Sequence, residues 1–199
     1  MPDTSGIVLA GGQSRRLGTD KAFIEIDKVP LIGRVVNQLR PICDDVLIVT
    51  NDPGPYRGLG LPLVGDIWPG MGPLGGIYSG LLAIRHSQAL VVGCDMPFLD
   101  PRLLRFMILL SAGYDAVVPR IGDLLEPLHA VYSRTCLSPI ESLLRTGNLR
   151  IVDLLSQVQV RYLTESEINL FDPHHLSLFN INTPEDLARA QKLASCHRP

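Results

Sequence analysis

Apolar residues along this chain come in two rhythms. Short unbroken runs, SGIVLA (5–10), DVLIVT (45–50), ALVVGC (89–94) and DAVVP (115–119), have the length and β-branched content of strands buried on both faces. Between them, Leu31, Ile32, Val35, Val36 and Leu39 recur at helical spacing, bounded by Pro30 and Pro41. Residues 77–84 and 101–112 also read as helices, and AFIEI (22–26) and Leu63-Val64 as brief strands. Strands alternating with helices in this way predict βαβ units and a doubly wound parallel sheet. Past residue 120 the pattern loosens. LHAVYS (128–133), VQVRYL (158–163) and LSLFNIN (176–182) read as strands, and 135–145 and 149–155 as helices. Thr183 as N-cap, Pro184 at the first helical position and an acidic first turn predict a last helix reaching about Leu193. Repeats, low-complexity tracts and linkers are absent from the sequence. The expectation is one α/β domain over 1–199, Rossmann-like, with a mostly parallel central sheet and helices on both faces.

Composition narrows the class. With 199 residues, 46% of them hydrophobic and 19% charged, the chain has ample apolar material to offset chain entropy, which excludes general disorder. No apolar run reaches the ~20 residues that span a bilayer, and MPDTSGIVLAGG lacks the basic n-region of a signal peptide. A cytoplasmic protein without membrane contact is expected. The formal charge of −2 argues against a general nucleic-acid surface. The four cysteines, Cys43, Cys94, Cys136 and Cys196, form no CxxC or CxxH pair and are expected to be free thiols. Of 18 basic residues only Lys21, Lys28 and Lys192 are lysines, so a lysine in a chemical context stands out.

That context is Leu9-Ala10-Gly11-Gly12-Gln13-Ser14-Arg15-Arg16-Leu17-Gly18-Thr19-Asp20-Lys21. A buried strand delivers it to the edge of the sheet where α/β ligands bind. Adjacent glycines let backbone N–H groups approach a ligand, and Ser14, Arg16 and Lys21 add phosphate-binding groups. The spacing fits neither GxGxxG nor GxxxxGK[ST], because five residues separate Gly12 from Gly18. A dinucleotide-dependent oxidoreductase is disfavoured accordingly. A plain glycine turn with solvated arginines is the competing reading.

The LAGGxSxRxGxDK pattern resembles the signature of nucleotidyltransferases that join an NTP to a phosphorylated acceptor. Gly72-Pro73-Leu74-Gly75-Gly76, Cys94-Asp95-Met96-Pro97-Phe98 and Phe179-Asn180-Ile181-Asn182-Thr183-Pro184-Glu185-Asp186-Leu187 are similar to the GPLxG, CDxPF and FxNxNTPEDL elements of the molybdenum cofactor guanylyltransferases. The motifs occur in family order over about residues 6–190. Leu17 departs from the Met often found there, a conservative change.

The resemblance implies a nucleotide-diphospho-sugar transferase-like fold. Its N-terminal nucleotide-binding part spans about 5–120 and its C-terminal acceptor-binding part about 121–195. The implied reaction transfers GMP from GTP to the terminal phosphate of molybdopterin, with or without molybdenum, and releases pyrophosphate. Mg²⁺ is the implied cofactor, with Asp95 its ligand at the end of strand 89–94. Lys21, Asp95 and Arg16 form the expected catalytic set. Leu9, Ala10, Gly11, Gly12, Lys21, Asn51, Asp66 and Asp95 form the nucleotide side, and Asn180 and Asn182 the acceptor side. Gly72 to Gly76 are expected to let the backbone approach base or acceptor.

Bland roles compete with several of these. Asn51 lies in Asn-Asp-Pro-Gly, itself a turn sequence, and Asn182 is placed to cap a helix. His129 reads as structural, and His174-His175 as a surface loop. Implied partners are GTP and molybdopterin, with molybdoenzymes or their chaperones downstream, and the chain a monomer or weak oligomer. Alternatives are a CTP-using sibling, a transferase acting on a sugar phosphate, and a non-catalytic nucleotide carrier.

Overall fold

The computed structural model describes residues 3–11 and 21–196, without the side chain of Cys196. Strand β1 (Ser5–Leu9) leads to a 3₁₀ turn at Lys21–Phe23 and a small hairpin, β2 (Glu25–Ile26) and β3 (Val29–Pro30). Helix α1 (Leu31–Leu39), β4 (Asp45–Val49) and β5 (Leu63–Val64) follow. Then come α2 (Gly72–Ala83), β6 (Gln88–Gly93), α3 (Pro101–Leu109) and β7 (Ala116–Ile121). The second half supplies β8 (Leu124–Leu125), β9 (His129–Ser133), α4 (Leu137–Arg145) and α5 (Ile151–Leu155). It ends with β10 (Val160–Leu163), α6 (Glu165–Ile168) and α7 (Pro184–Cys196).

One sheet runs β10-β7-β9-β6-β1-β4-β5, with β8 paired to β7. The β6–β1, β1–β4, β4–β5 and β7–β10 pairs are parallel; β9 is antiparallel to both β6 and β7. The sheet is therefore mostly parallel, as expected. Successive residues of β1 point to opposite faces and join different cores. Val8 packs with Ile32, Val35, Leu39, Leu103, Leu104 and Met107 of α1 and α3. Ile7 packs with Ile77, Leu81, Ile140 and Leu143 of α2 and α4. Helices thus cover both faces. A third, smaller cluster joins Ile26 and Leu31 to Ile181, Ala190 and Ala194, fastening α7 beside the hairpin.

The structure corrects three local expectations. AFIEI is not one strand. It divides into the 3₁₀ turn and β2, because the chain reverses at Asp27 (φ 51°) and Lys28 (φ 64°). Two positive φ values suit a tight hairpin, but neither residue is the glycine that would signal one. Helix α2 begins at Gly72, five residues before the apolar spacing indicated. LSLFNIN is no strand: a 3₁₀ turn at Leu176–Leu178 opens it, and irregular backbone follows. The buried Asp172 carboxylate accepts the N–H groups of Leu176 (2.9 Å) and Ser177 (2.6 Å), which curls the chain where a ladder would need it extended. The sequence reading also missed β8 and α6.

Candidate active site

The ends of β1 and β6 lie side by side where the sheet order turns back on itself, since β1 connects onward to β4 on one flank while β6 lies on the other. That crevice is the general ligand position of open α/β sheets. Its floor is backbone: Ala10 N–H donates to Val49 O at 2.9 Å, and Cys94 N–H to Leu9 O at 3.1 Å. Gly11 continues from it, exposed, and a Cβ there would meet nothing within 4 Å among the described residues. Gly12, Ser14, Arg15, Arg16, Leu17 and Gly18 lie outside the described residues, so the catalytic expectation for Arg16 does too.

Three side chains from distant parts of the chain meet above this floor. Lys21 Nζ donates to Asn182 Oδ1 at 2.9 Å and stands 3.6 Å from Asp95 Oδ2. Asp95 follows β6 directly, and its carboxylate lies against Gly93, where a Cβ would fall 2.6 Å from Oδ1. Glycine at 93 is therefore a condition of the carboxylate's position. Desolvation raises the Asp95 pKa, and the Lys21 ammonium opposes that rise by favouring the charged form. The main chain ties the site to the C-terminal segment, because Ile181 N–H donates to Asp95 O at 3.0 Å.

The asparagines thus reach the site from irregular backbone, not from a strand face. Thr183 is the N-cap of α7: its Oγ1 accepts from Asp186 N–H at 3.1 Å, while Asp186 Oδ2 accepts from Asn182 and Thr183 N–H at 3.0 and 2.9 Å. Those bonds hold the Asp186 carboxyl below the usual range, the Asn182 N–H first among them. Capping therefore occupies the backbone of Asn182 and leaves its side chain for Lys21. Asn180 donates through Nδ2 to Leu178 O at 3.3 Å, and its nearby amide favours the charged form of the Glu126 carboxyl.

Asn51 and Asp66 pair on the opposite flank, past β4 and β5. Asn51 Nδ2 donates to Asp66 Oδ2 at 2.9 Å, and Asp66 N–H returns a bond to Asn51 Oδ1 at 2.8 Å. The exchange fixes one carboxylate at the rim and accounts for both residues together. The neighbouring glycines serve packing. A Cβ on Gly76 would lie 3.2 Å from Leu9 Cδ2, one on Gly75 3.0 Å from Met71 Cβ, and one on Gly80 2.8 Å from Ile7 Cδ1. Gly76 and Gly80 let α2 sit close to β1, while Gly75 clears the loop at Trp68 and Met71; of the GPLGG segment, Gly72 (φ 59°) has open space at its Cβ position.

His129 is fully buried. Its Nε2 lies 2.9 Å from Ser177 Oγ, which also accepts from Asp100 N–H at 3.0 Å. Burial pushes the imidazole pKa down to about 4. A neutral structural histidine is what the sequence led us to expect. His174 is exposed, and His175 bonds Asn169 at 2.8 Å, both on a surface loop. Cys43 and Cys136 are buried thiols raised to about 12 by desolvation, and Cys94 is buried as well.

Glu126 was missed. It is half-buried in the turn that leads into β9, with the Asn180 amide near its carboxyl. Its signal was present in the pairing of β9 with β6. His129 faces Val92 and Ala130 faces Val91, so the same register continued past the strand ends sets Glu126 opposite Asp95. Sequence alone does not reveal which strands are neighbours.

Comparison with known proteins identifies the group to which this arrangement belongs. Residues 6–160 match the MobA-like NTP transferase domain. The chain belongs to that family. A probable molybdenum cofactor guanylyltransferase from Pelotomaculum thermopropionicum is 39% identical over 100% of this chain and 97% of its own. A molybdenum cofactor guanylyltransferase from Desulfosudis oleivorans is also 39% identical, over 96% of each. The crystal structure of molybdopterin-guanine dinucleotide biosynthesis protein A from Archaeoglobus fulgidus superimposes with a TM-score of 0.86 at 30% identity, covering 97% of this chain and all of that one. The fold is thus shared over nearly the whole chain, the sheet and the segment beyond 160 that supplies Asn180 and Asn182 alike.

A divalent cation fits the chemistry of the rim. Asp95 offers carboxylate oxygens and Asn182 an amide oxygen, the hard donors Mg²⁺ takes along with substrate phosphates and water. Among the described residues no cluster of three His, Cys, Asp or Glu side chains forms a cage. Among the same residues, no helix is long and apolar enough to cross a membrane.

Proposed function

We propose that this chain transfers GMP from GTP to the terminal phosphate of molybdopterin, releasing pyrophosphate and forming the guanine dinucleotide cofactor. The observation that carries the reading is the meeting of Lys21, Asp95 and Asn182 at the β1–β6 crevice, in a chain 39% identical to named guanylyltransferases over nearly its full length.

The acceptor phosphate is already an anionic nucleophile, so the reaction needs no dedicated general base. The barrier lies in bringing two polyanions into line and supporting charge on the departing pyrophosphate, so positioning and electrostatics carry the catalysis. Leu9, Ala10 and Gly11 present backbone to the nucleotide; Gly12 and Arg16, outside the described residues, are assigned to it by their place in the motif. Lys21 neutralises phosphate charge as the α-phosphorus is attacked. Its bond to Asn182 aims the ammonium, and its ion pair with Asp95 gives way when anionic substrate arrives. Asp95 would hold Mg²⁺, which would supply positive charge to offset that of the phosphates. Asp66, fixed by Asn51, faces the base, where a carboxylate accepts from guanine N1–H and the 2-amino group. Asn180 and Asn182 belong to the acceptor side, so the part of the chain beyond about residue 121 supplies acceptor contacts and the part before it nucleotide contacts. The protein works in the cytoplasm on small-molecule substrates, as a monomer or weak oligomer.

The test is incubation with molybdopterin, molybdate, Mg²⁺ and each of GTP, CTP, ATP and UTP, followed by mass analysis. Formation of the guanine dinucleotide, with GTP preferred at least tenfold, supports the reading. Preference for CTP, or no transfer from any nucleotide, overturns it.

A further inference from the structure

Glu126 occupies a position that the nucleotide-binding residues do not explain. The strand order separates two carboxylates at the same rim. Asp66 follows β5 on one flank of the β1–β6 crevice, and Glu126 precedes β9 on the other. Backbone bonds fix Glu126 from both directions, since its N–H donates to Pro119 O and its carbonyl accepts from His129 N–H, each at 3.1 Å. The next residue, Pro127, has a locked φ, and Leu128 O accepts from Gly93 N–H at 3.1 Å beside the Asp95 turn. The carboxyl is half-buried, and among the described residues it has no ion pair with a cation. Burial raises its pKa, the nearby Asn180 amide opposes that, and Asp95 adds a smaller rise.

A desolvated acidic group beside a basin for phosphates repels the charged ends of both substrates. It is suited to a neutral group that donates two parallel hydrogen bonds. The aminopyrimidinone edge, a ring N–H beside an exocyclic amine, is such a group, and a carboxylate accepts both bonds at once. Under the function proposed above, on which this step rests, each substrate carries one such edge: guanine on the nucleotide and the pterin on the acceptor. We infer that Glu126, fixed by its backbone bonds at the rim, is the residue that recognises the pterin ring of the acceptor through its 2-amino and N3–H groups, as the counterpart of Asp66 across the crevice.

The test uses Glu126→Gln and Glu126→Ala in the full chain, with thermal melting to establish that both fold. Two fluorescent probes are titrated: a pterin with a phosphate monoester on its 6-substituent, and the matching compound with a 2-oxo group replacing the 2-amine. The wild type is expected to bind the pterin roughly 10–100-fold more tightly, the range of a hydrogen bond to a charged group. Glu126→Gln, which can donate to the oxo group, should bring that ratio close to one, and Glu126→Ala should weaken the pterin to the level of the 2-oxo probe. In turnover the KM for molybdopterin should rise by a similar factor, with the KM for GTP within about twofold.

An unchanged pterin-to-oxo ratio in Glu126→Gln overturns the inference while leaving guanylyl transfer intact. A rise confined to the KM for GTP assigns Glu126 to guanine and also overturns it. Absence of guanylyl transfer by the wild type defeats the underlying reading instead, and the inference with it.

Discussion

At the scale of single residues, the site depends on where one carboxylate can stand. Asp95 Oδ1 occupies the space that a Cβ on Gly93 would need, at 2.6 Å. Gly93→Ala is therefore expected to fold but to push the carboxylate away from Lys21, lowering kcat by about 10²-fold, the usual penalty for a displacement near 1 Å. Steady-state kinetics beside a thermal melt separates this from simple unfolding; loss of stability with kcat retained would contradict it. Asp95→Asn should reduce Mg²⁺-dependent turnover by ~10²–10³-fold with GTP binding less affected, whereas a mere nucleotide carrier would show only altered binding. Sequence reading reached Lys21, Asp95, Asn51, Asp66, Asn180 and Asn182 through motifs, and the structure assembles them at one sheet edge. It did not reach Glu126, because the cue is a pairing register between segments more than thirty residues apart. In the Gly72 to Gly76 segment, expected to let the backbone approach a ligand, the Cβ positions of Gly75 and Gly76 meet neighbouring protein atoms.

At the scale of elements, two contacts set the geometry of the rim. Helix α2 lies so close to β1 that a Cβ on Gly80 would approach the side chain of fully buried Ile7 to 2.8 Å. Gly80→Ala should gain helix propensity yet lose more to overpacking, for a net cost of about 1–2 kcal/mol in a denaturant titration. A stabilised variant would contradict the wedge. The start of α7 is the second contact. Thr183→Ala removes the N-cap, at a cost of about 1 kcal/mol, and loosens the backbone of Asn182. We expect a raised KM for the acceptor before any loss of fold. Capping was legible because Thr-Pro-Glu-Asp is a local signal. The preceding segment was misread because its apolar alternation is strand-like, while a carboxylate at Asp172 claims its N–H groups.

At the scale of the whole molecule, the alternation of strands and helices was enough to expect a doubly wound sheet, and the parallel core β6-β1-β4-β5 agrees. The antiparallel insertion of β9 was not legible, since strand direction depends on connections that span the sheet. That strand carries a buried histidine with consequences for stability. His129 has a folded pKa of about 4 against the ordinary 6.5. The unfolded chain therefore takes up its proton first as pH falls, and stability drops progressively from about pH 6.5 toward pH 4. The contribution is roughly 3 kcal/mol, lost on the acid side and fully present above pH 6.5. Denaturant titrations across that window should show the slope in the wild type and a flatter line in His129→Gln.

The central claim is that the crevice between β1 and β6, with Lys21 and Asp95 at its rim, is where the α-phosphate reacts. A crystal structure with a non-hydrolysable GTP analogue and Mn²⁺, the ion located by its anomalous signal, tests it most directly. The expected result has the metal on Asp95, the α-phosphate within hydrogen-bond reach of Lys21 and guanine beside Asp66. An ordered nucleotide whose α-phosphate and metal lie away from Lys21 and Asp95 would contradict it.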